Sequence, residues 1–174
     1  MDLLAIAHVV VAVAFGGCLV AIAACDLRSY SIPNSVCVAL AWLFVVAAPL
    51  SRVEISFLSH LYSFLIVFAL GLLAFRFGIL GGGDVKSWAA IAAWYDLNSL
   101  SIQVLYVTLI GSGLGLLILA CRRAVSGRYA LDRMTLLRVP RLLRVGEPVP
   151  YGVAISVGTA LSVGHIDLFR SFPL

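Results

Sequence analysis

Two carboxylates, Asp26 and Asp84, stand where an apolar run meets its polar end in an otherwise oily chain of 174 residues. Asp26 directly follows Ala23-Ala24-Cys25, and Asp84 directly precedes the run that opens at Val85. An ionisable group at such depth costs about 2.5–3.5 kcal/mol on insertion scales, so acids kept there are functional candidates. Two carboxylates converging across one water make an acid–base pair. Like charges at close range do not both ionise cheaply, so one keeps a proton while the other activates the water that attacks a peptide carbonyl. Such a pair titrates as a unit. Other chemistries lack parts: His8, His60 and His165 fall away from both acids, so no nearby serine or cysteine has a histidine base. Metal binding lacks a His cluster or paired cysteines, and no metal or other cofactor is expected. The four cysteines (Cys18, Cys25, Cys37, Cys121) form no C-x-x-C pair and read as small apolar packing residues.

The elements that must hold these acids are membrane helices. With 63% hydrophobic residues, 11% charged and a mean hydropathy of +1.11, the chain is far from a soluble domain, whose shares are about 45–50% and 25%. Spans need about 20 apolar residues each, so the length admits six and leaves little for a soluble domain. The expected fold is an all-α polytopic membrane domain over 1–174, with helices at about 3–25, 36–50, 57–75, 85–95, 102–121 and 151–169. A secretory signal is excluded for the first run, because the only charge before Cys25 is Asp2 and a signal needs a basic n-region. Ten of the twelve basic residues follow helices 1, 3 and 5, so the positive-inside rule puts those loops in the cytoplasm and both termini outside. The net charge of +4 is then an orientation signal, and nucleic acid is not an expected partner. The one long polar stretch, 122–148, interleaves arginines with aliphatics from Tyr129 to Val145, which suggests short amphipathic helices on anionic lipids of the inner leaflet. Asp132 and Glu147 within it read as solvated partners of those arginines.

The run Val85–Tyr95 is 11 residues, about 16 Å as a helix against a core of about 30 Å. Asp84 is thereby drawn into a cavity that admits water. Gly81-Gly82-Gly83 before it are expected to give a loop of unusual backbone angles that another chain can approach closely.

At this point the residues resemble a known family. Gly81-Gly82-Gly83-Asp84-Val85-Lys86 is similar to the GxGD-x-K element of type IV prepilin peptidases. Asp26-Leu27-Arg28 followed by Ile32-Pro33-Asn34 resembles their first catalytic element, and Pro150-Tyr151-Gly152 resembles their entry to the final helix. The resemblance implies a GxGD aspartic protease fold and a membrane aspartic endopeptidase, with Asp26 and Asp84 as the catalytic pair. Its substrate would be a prepilin, cut at the cytoplasmic face of the bacterial inner membrane between a short positive leader and the start of its hydrophobic helix. Larger members carry paired C-x-x-C motifs between the first two helices and N-methylate the product. Only Asp26 to Asn34 occupy that loop here, so the chain resembles the short, peptidase-only type of tight-adherence (Flp) pili. Presenilin-like proteases share GxGD but are larger and lack the I-P-N element.

Supporting roles are expected around the pair. Gly81 and Gly83 would admit substrate backbone, and Lys86 would hold an acidic group or a lipid phosphate. Pro33 and Asn34 either support the site or simply open helix 2, with Ser31 as cap. Gly111-Ser112-Gly113-Leu114-Gly115, Gly158 and Gly164 read as helix-packing glycines. Two other classes compete with the protease: a non-enzymatic membrane subunit of a pilus or secretion machine, and a small proton-coupled transporter using the same two acids. A transporter would spread its acids along a path, and a scaffold needs none.

Overall fold

The computed structural model describes residues 3–51, 53–129, 140–144 and 146–170, with the backbone alone over 126–129. Helices fill the six expected places: α1 (Leu3–Ser29), α2 (Asn34–Ala47), α3 (Phe57–Arg76), α4 (Gly82–Ala92), α5 (Leu100–Tyr129) and α6 (Tyr151–Ser162). A four-residue α7 (Asp167–Arg170) follows, and the described residues contain no strand. Three helical stretches, Leu3–Ser29, Phe57–Arg76 and Leu100–Val125, are long and apolar enough to cross a membrane. Asn34–Leu50, which is α2 with its 3-10 extension, is a shorter apolar helix.

The helices α4 and α6 have 11 and 12 residues, about 16 and 18 Å. They can be short because they are inside. Val85, Ser87 and Ala89–Ala92 of α4 are buried, as are Gly152, Ala154, Ile155, Ser156, Gly158 and Thr159 of α6. Around them α1, α3 and α5 leave rows of Leu, Val and Phe exposed, among them Val13, Leu70 and Leu116. Helix α6 packs on α5, α1 and α4, while α4 packs on α3 and α2. A helix sheathed by protein need not match the hydrocarbon thickness and can carry a polar first turn without exposing it to lipid.

One end of the bundle is locked by aromatic rings and backbone contacts. Trp94 packs against Phe15, Phe44 and Phe169 with centroids 4.6, 5.6 and 5.8 Å away, stacked only on Phe169, and its indole donates to the Leu40 carbonyl at 3.3 Å. Here the histidines have structural partners: His8 Nε2 meets the Leu50 carbonyl at 2.9 Å and His60 Nδ1 the Ala93 carbonyl at 3.0 Å. The cysteines are free thiols, with Cys37 buried in the core.

Several boundaries differ from the sequence reading. Helix α1 continues past Cys25 to Ser29, whose hydroxyl donates back to the Cys25 carbonyl at 2.8 Å, and stops at Tyr30 in the left-handed region (φ 51°). Asp26 is therefore inside the helix. Helix α4 starts at Gly82 and ends at Ala92, so Asp84 lies in its first turn. Helix α6 ends at Ser162, which bonds back to the Gly158 carbonyl at 3.0 Å and pairs with the Tyr95 hydroxyl at 2.7 Å. The glycine seams are fewer than expected. A Cβ on Gly158 would meet Val107 backbone at 2.7 Å and one on Gly111 the Tyr151 hydroxyl at 2.5 Å, whereas Gly113, Gly115 and Gly164 face open space. Most of the stretch Tyr129–Val145, expected to be amphipathic, lies outside the described residues.

Candidate active site

The other end of the bundle gathers the end of α1, the starts of α2, α4 and α6, and the connections between them. Asp26 and Asp84, 4% and 9% exposed, line one cavity of about 460 Å³ together with Tyr30–Asn34, Gly81–Gly83 and Lys86. A second cavity of about 440 Å³ reaches the same two carboxyls from the side of Gly78–Leu80, Glu147–Val149 and Tyr151. The pair thus stands between two openings.

Each acid is held by a helix start. The Asp84 Oδ2 accepts the Gly81 N–H at 3.1 Å, so the side chain caps its own helix as the third residue of a capping box does. Its Oδ1 is buried with no hydrogen-bond partner among the described residues. Such an oxygen is costly unless a water or a reactant serves it. The Asp26 Oδ2 accepts the Gly152 N–H at 2.6 Å, across 126 residues of sequence. Gly152 is in the first turn of α6, where free amides and the helix dipole favour an anion.

The glycines act through space, not through unusual backbone. None of Gly81, Gly82 and Gly83 has positive φ; Gly81 is an extended N-cap (φ −76°, ψ 152°) and the other two are helical. Gly83 is a packing position: a Cβ there would lie 3.3 Å from both the Cβ and the backbone nitrogen of Ile32. A Cβ on Gly81 would lie 3.0 Å from Asp84 Oδ2, and one on Gly82 would make only an ordinary contact with Phe75 at 3.7 Å. The expected loop of unusual backbone angles is corrected accordingly, although all three glycines do line the cavity. Gly152 is tighter than any of these, with Asp26 Oδ2 at 2.9 Å and Asp26 Cβ and Ile32 Cδ1 at 3.0 Å from a Cβ.

The expected supporting residues also come together. Lys86 is exposed at the cavity rim, and its Nζ donates to Asn34 Oδ1 at 3.1 Å. Pro33 is the N-cap of α2 (φ −63°, ψ 136°), with no side-chain cap, so Ser31 does not serve that role. Glu147 is paired with Arg141 at 3.3 Å, as read from the sequence, and Arg141 lies over the Tyr30 ring at 5.2 Å. Asp132 lies outside the described residues.

Within the chain, residues 13–120 match the family model for the type IV leader peptidase family. The chain belongs to that family. The match includes Asp26 and Asp84 and stops short of Pro150, so the α6 contact to Asp26 lies beyond it. No curated protein and no solved structure matches the chain. In this leader peptidase the sequence reading missed Tyr30 and Arg122, and it named Ile32 only as part of the I-P-N element and not as the neighbour that Gly83 and Gly152 pack against. Arg122 counted only as an orientation charge. It is buried, and its guanidinium donates to the Leu142 carbonyl at 3.1 and 3.0 Å and to the Pro148 carbonyl at 3.2 Å, tying the connection into α6 to α5. The Pro150-Tyr151-Gly152 motif was the one signal that pointed to Gly152.

Proposed function

We propose that this chain is an aspartic endopeptidase that removes the leader of Flp-type prepilins at the cytoplasmic face of the bacterial inner membrane, with Asp26 and Asp84 activating the water. The observation that carries the reading is the meeting of both carboxyls at one cavity with Asp84 Oδ1 buried and unserved. A water bound between the acids would satisfy that oxygen. One ionised carboxylate then takes the water's proton as its oxygen attacks the scissile carbonyl, and the protonated partner donates to the oxygen that develops negative charge. Collapse of the tetrahedral species delivers a proton to the leaving amine. The Gly152 amide fixes Asp26 throughout, and the Gly81 amide fixes Asp84. The short connection between α1 and α2, which lacks paired C-x-x-C motifs, supports the peptidase-only Flp type. The concentration of basic residues on the loops after helices 1, 3 and 5 supports a cytoplasmic site and outward termini. The same charges suit anionic lipids of the inner leaflet.

The test is neutral isosteres. Asp26→Asn and Asp84→Asn should each stop processing of a co-expressed prepilin while protein level in the membrane stays normal. Appreciable turnover by either variant would end the two-aspartate mechanism.

A further inference from the structure

Arg122 is a buried cation, 8% exposed, and among the described residues no carboxylate lies within ion-pair distance of it. Its guanidinium reaches the Leu142 carbonyl through two nitrogens and the Pro148 carbonyl through one. A charge held only by carbonyls adds little net stability, because the cost of desolvating it offsets the bonds. What the arrangement fixes is position. One rigid planar group forks across two carbonyls six residues apart, so the connection into α6 cannot slide along α5. The other fastening of that connection, Arg141 with Glu147 and the Tyr30 ring, is at the surface, where such pairs contribute little.

From the Pro148 carbonyl to the Gly152 amide the backbone has little freedom. Val149 precedes a proline, which pushes it to extended angles. The ring of Pro150 fixes its φ, here −73°, and Tyr151 is the first residue of α6. Holding the carbonyl therefore holds the amide, the one that meets Asp26 Oδ2 at 2.6 Å. Helix α5 supports the same alignment along its length. Val107, Gly111, Ile118 and Arg122 recur at helical spacing on one buried face, and that face receives Gly158 on Val107 and the Tyr151 ring on Gly111.

Taking the chain as the endopeptidase proposed above, we propose that Arg122 is a positioning residue for the reaction. From α5 it sets where the first turn of α6 begins, and through the Gly152 amide it sets where the Asp26 carboxyl points. It lines neither cavity at the aspartates, but Pro148, whose carbonyl it holds, lines the second.

The experiment is a double-mutant cycle on prepilin cleavage in lipid nanodiscs, read together with hydrogen exchange at the Gly152 amide. Arg122→Met keeps much of the side chain and removes the fork, and it should lower kcat/KM about tenfold. In a Gly152→Ala background, where the amide is already displaced, the same change should cost no more than about threefold, since two substitutions on one route do not act independently. A larger loss there overturns the proposal. In Arg122→Met the Gly152 amide should exchange about tenfold faster than in the unaltered protein, and an unchanged rate overturns the proposal as well. Arg123→Met, which removes the neighbouring exposed charge, should leave both readouts alone; an equal effect from it would make Arg122 one loop charge among several and overturn its positioning role. Should Arg122→Met accumulate poorly, Arg122→Gln carries the same measurements with one donor group retained. If the unaltered protein cleaves no prepilin, the endopeptidase reading fails, and the exchange comparison still decides whether Arg122 holds the amide.

Discussion

Replacing Gly152 by alanine tests whether the first turn of α6 orients Asp26. The added methyl would stand 2.9 Å from Asp26 Oδ2 and 3.0 Å from Asp26 Cβ and Ile32 Cδ1. None of these is the loose end of a long side chain, so α6 must retreat or the carboxyl must rotate. Either movement stretches the 2.6 Å bond from the Gly152 amide. A hydrogen bond to a charged group contributes about 1.5–3 kcal/mol, and each 1.36 kcal/mol is a factor of ten in rate. Loss of kcat/KM by about 10- to 150-fold is therefore expected for Gly152→Ala. The assay is prepilin cleavage by purified protein in lipid nanodiscs, with thermal unfolding measured on the same samples. Gly164→Ala is the control, because nothing lies within 4 Å of its added Cβ. If Gly152→Ala keeps kcat/KM within threefold of the unaltered protein at equal melting temperature, the α6 amide does not orient Asp26.

Three further outcomes follow from the same structure. Gly83→Val presses on Ile32, which would lie 3.3 Å from the added Cβ alone, and should cost about 1–3 kcal/mol of stability as overpacking does, lowering the melting temperature along with activity, whereas Gly82→Ala should keep both; equal melting of the two variants would remove the seam. Arg122→Met abandons the Leu142 and Pro148 carbonyls and should speed proteolytic nicking between residues 140 and 150, and Arg122→Lys should not restore protection because a point charge cannot fork across both. Partial burial pushes the Asp96 carboxyl up, but hydrogen bonds from Ser99 and Asn98 outweigh it and hold the group below the usual carboxylate range. Its contribution is thus present above the unfolded value of about 3.9 and lost as pH falls through the depressed one. The melting-temperature gap between the unaltered protein and Asp96→Asn should narrow from pH 7 to pH 3, and a constant gap would show that Asp96 does not stabilise the turn.

What the sequence disclosed was whatever depends on residue type alone. Acids in an oily chain stand out, so Asp26 and Asp84 were legible, and runs of apolar residues between charges marked each helix within a few positions. The glycines misled because their type does not say whether freedom of backbone or absence of a side chain is being used. At Gly83 it is the second, and the reason, Ile32, is 51 positions away. The ends of α1 and α4 were misjudged because Asp26 and Asp84 looked like punctuation, when each is accommodated inside its helix by an amide from a helix start. Arg122 was one of ten arginines and lysines that look alike as charges, and only folding buries it against two carbonyls.

The bond between Asp26 and the Gly152 amide also sets an order in time. One partner belongs to α1 and the other to α6, made 126 residues later. At translation speeds of about 5–20 residues per second, this interval is about 6–25 s. In the later part of that interval both acids have been made while Asp26 still lacks the amide that aims it. A chain that holds both acids is therefore still without the contact that orients Asp26 until α6 has docked.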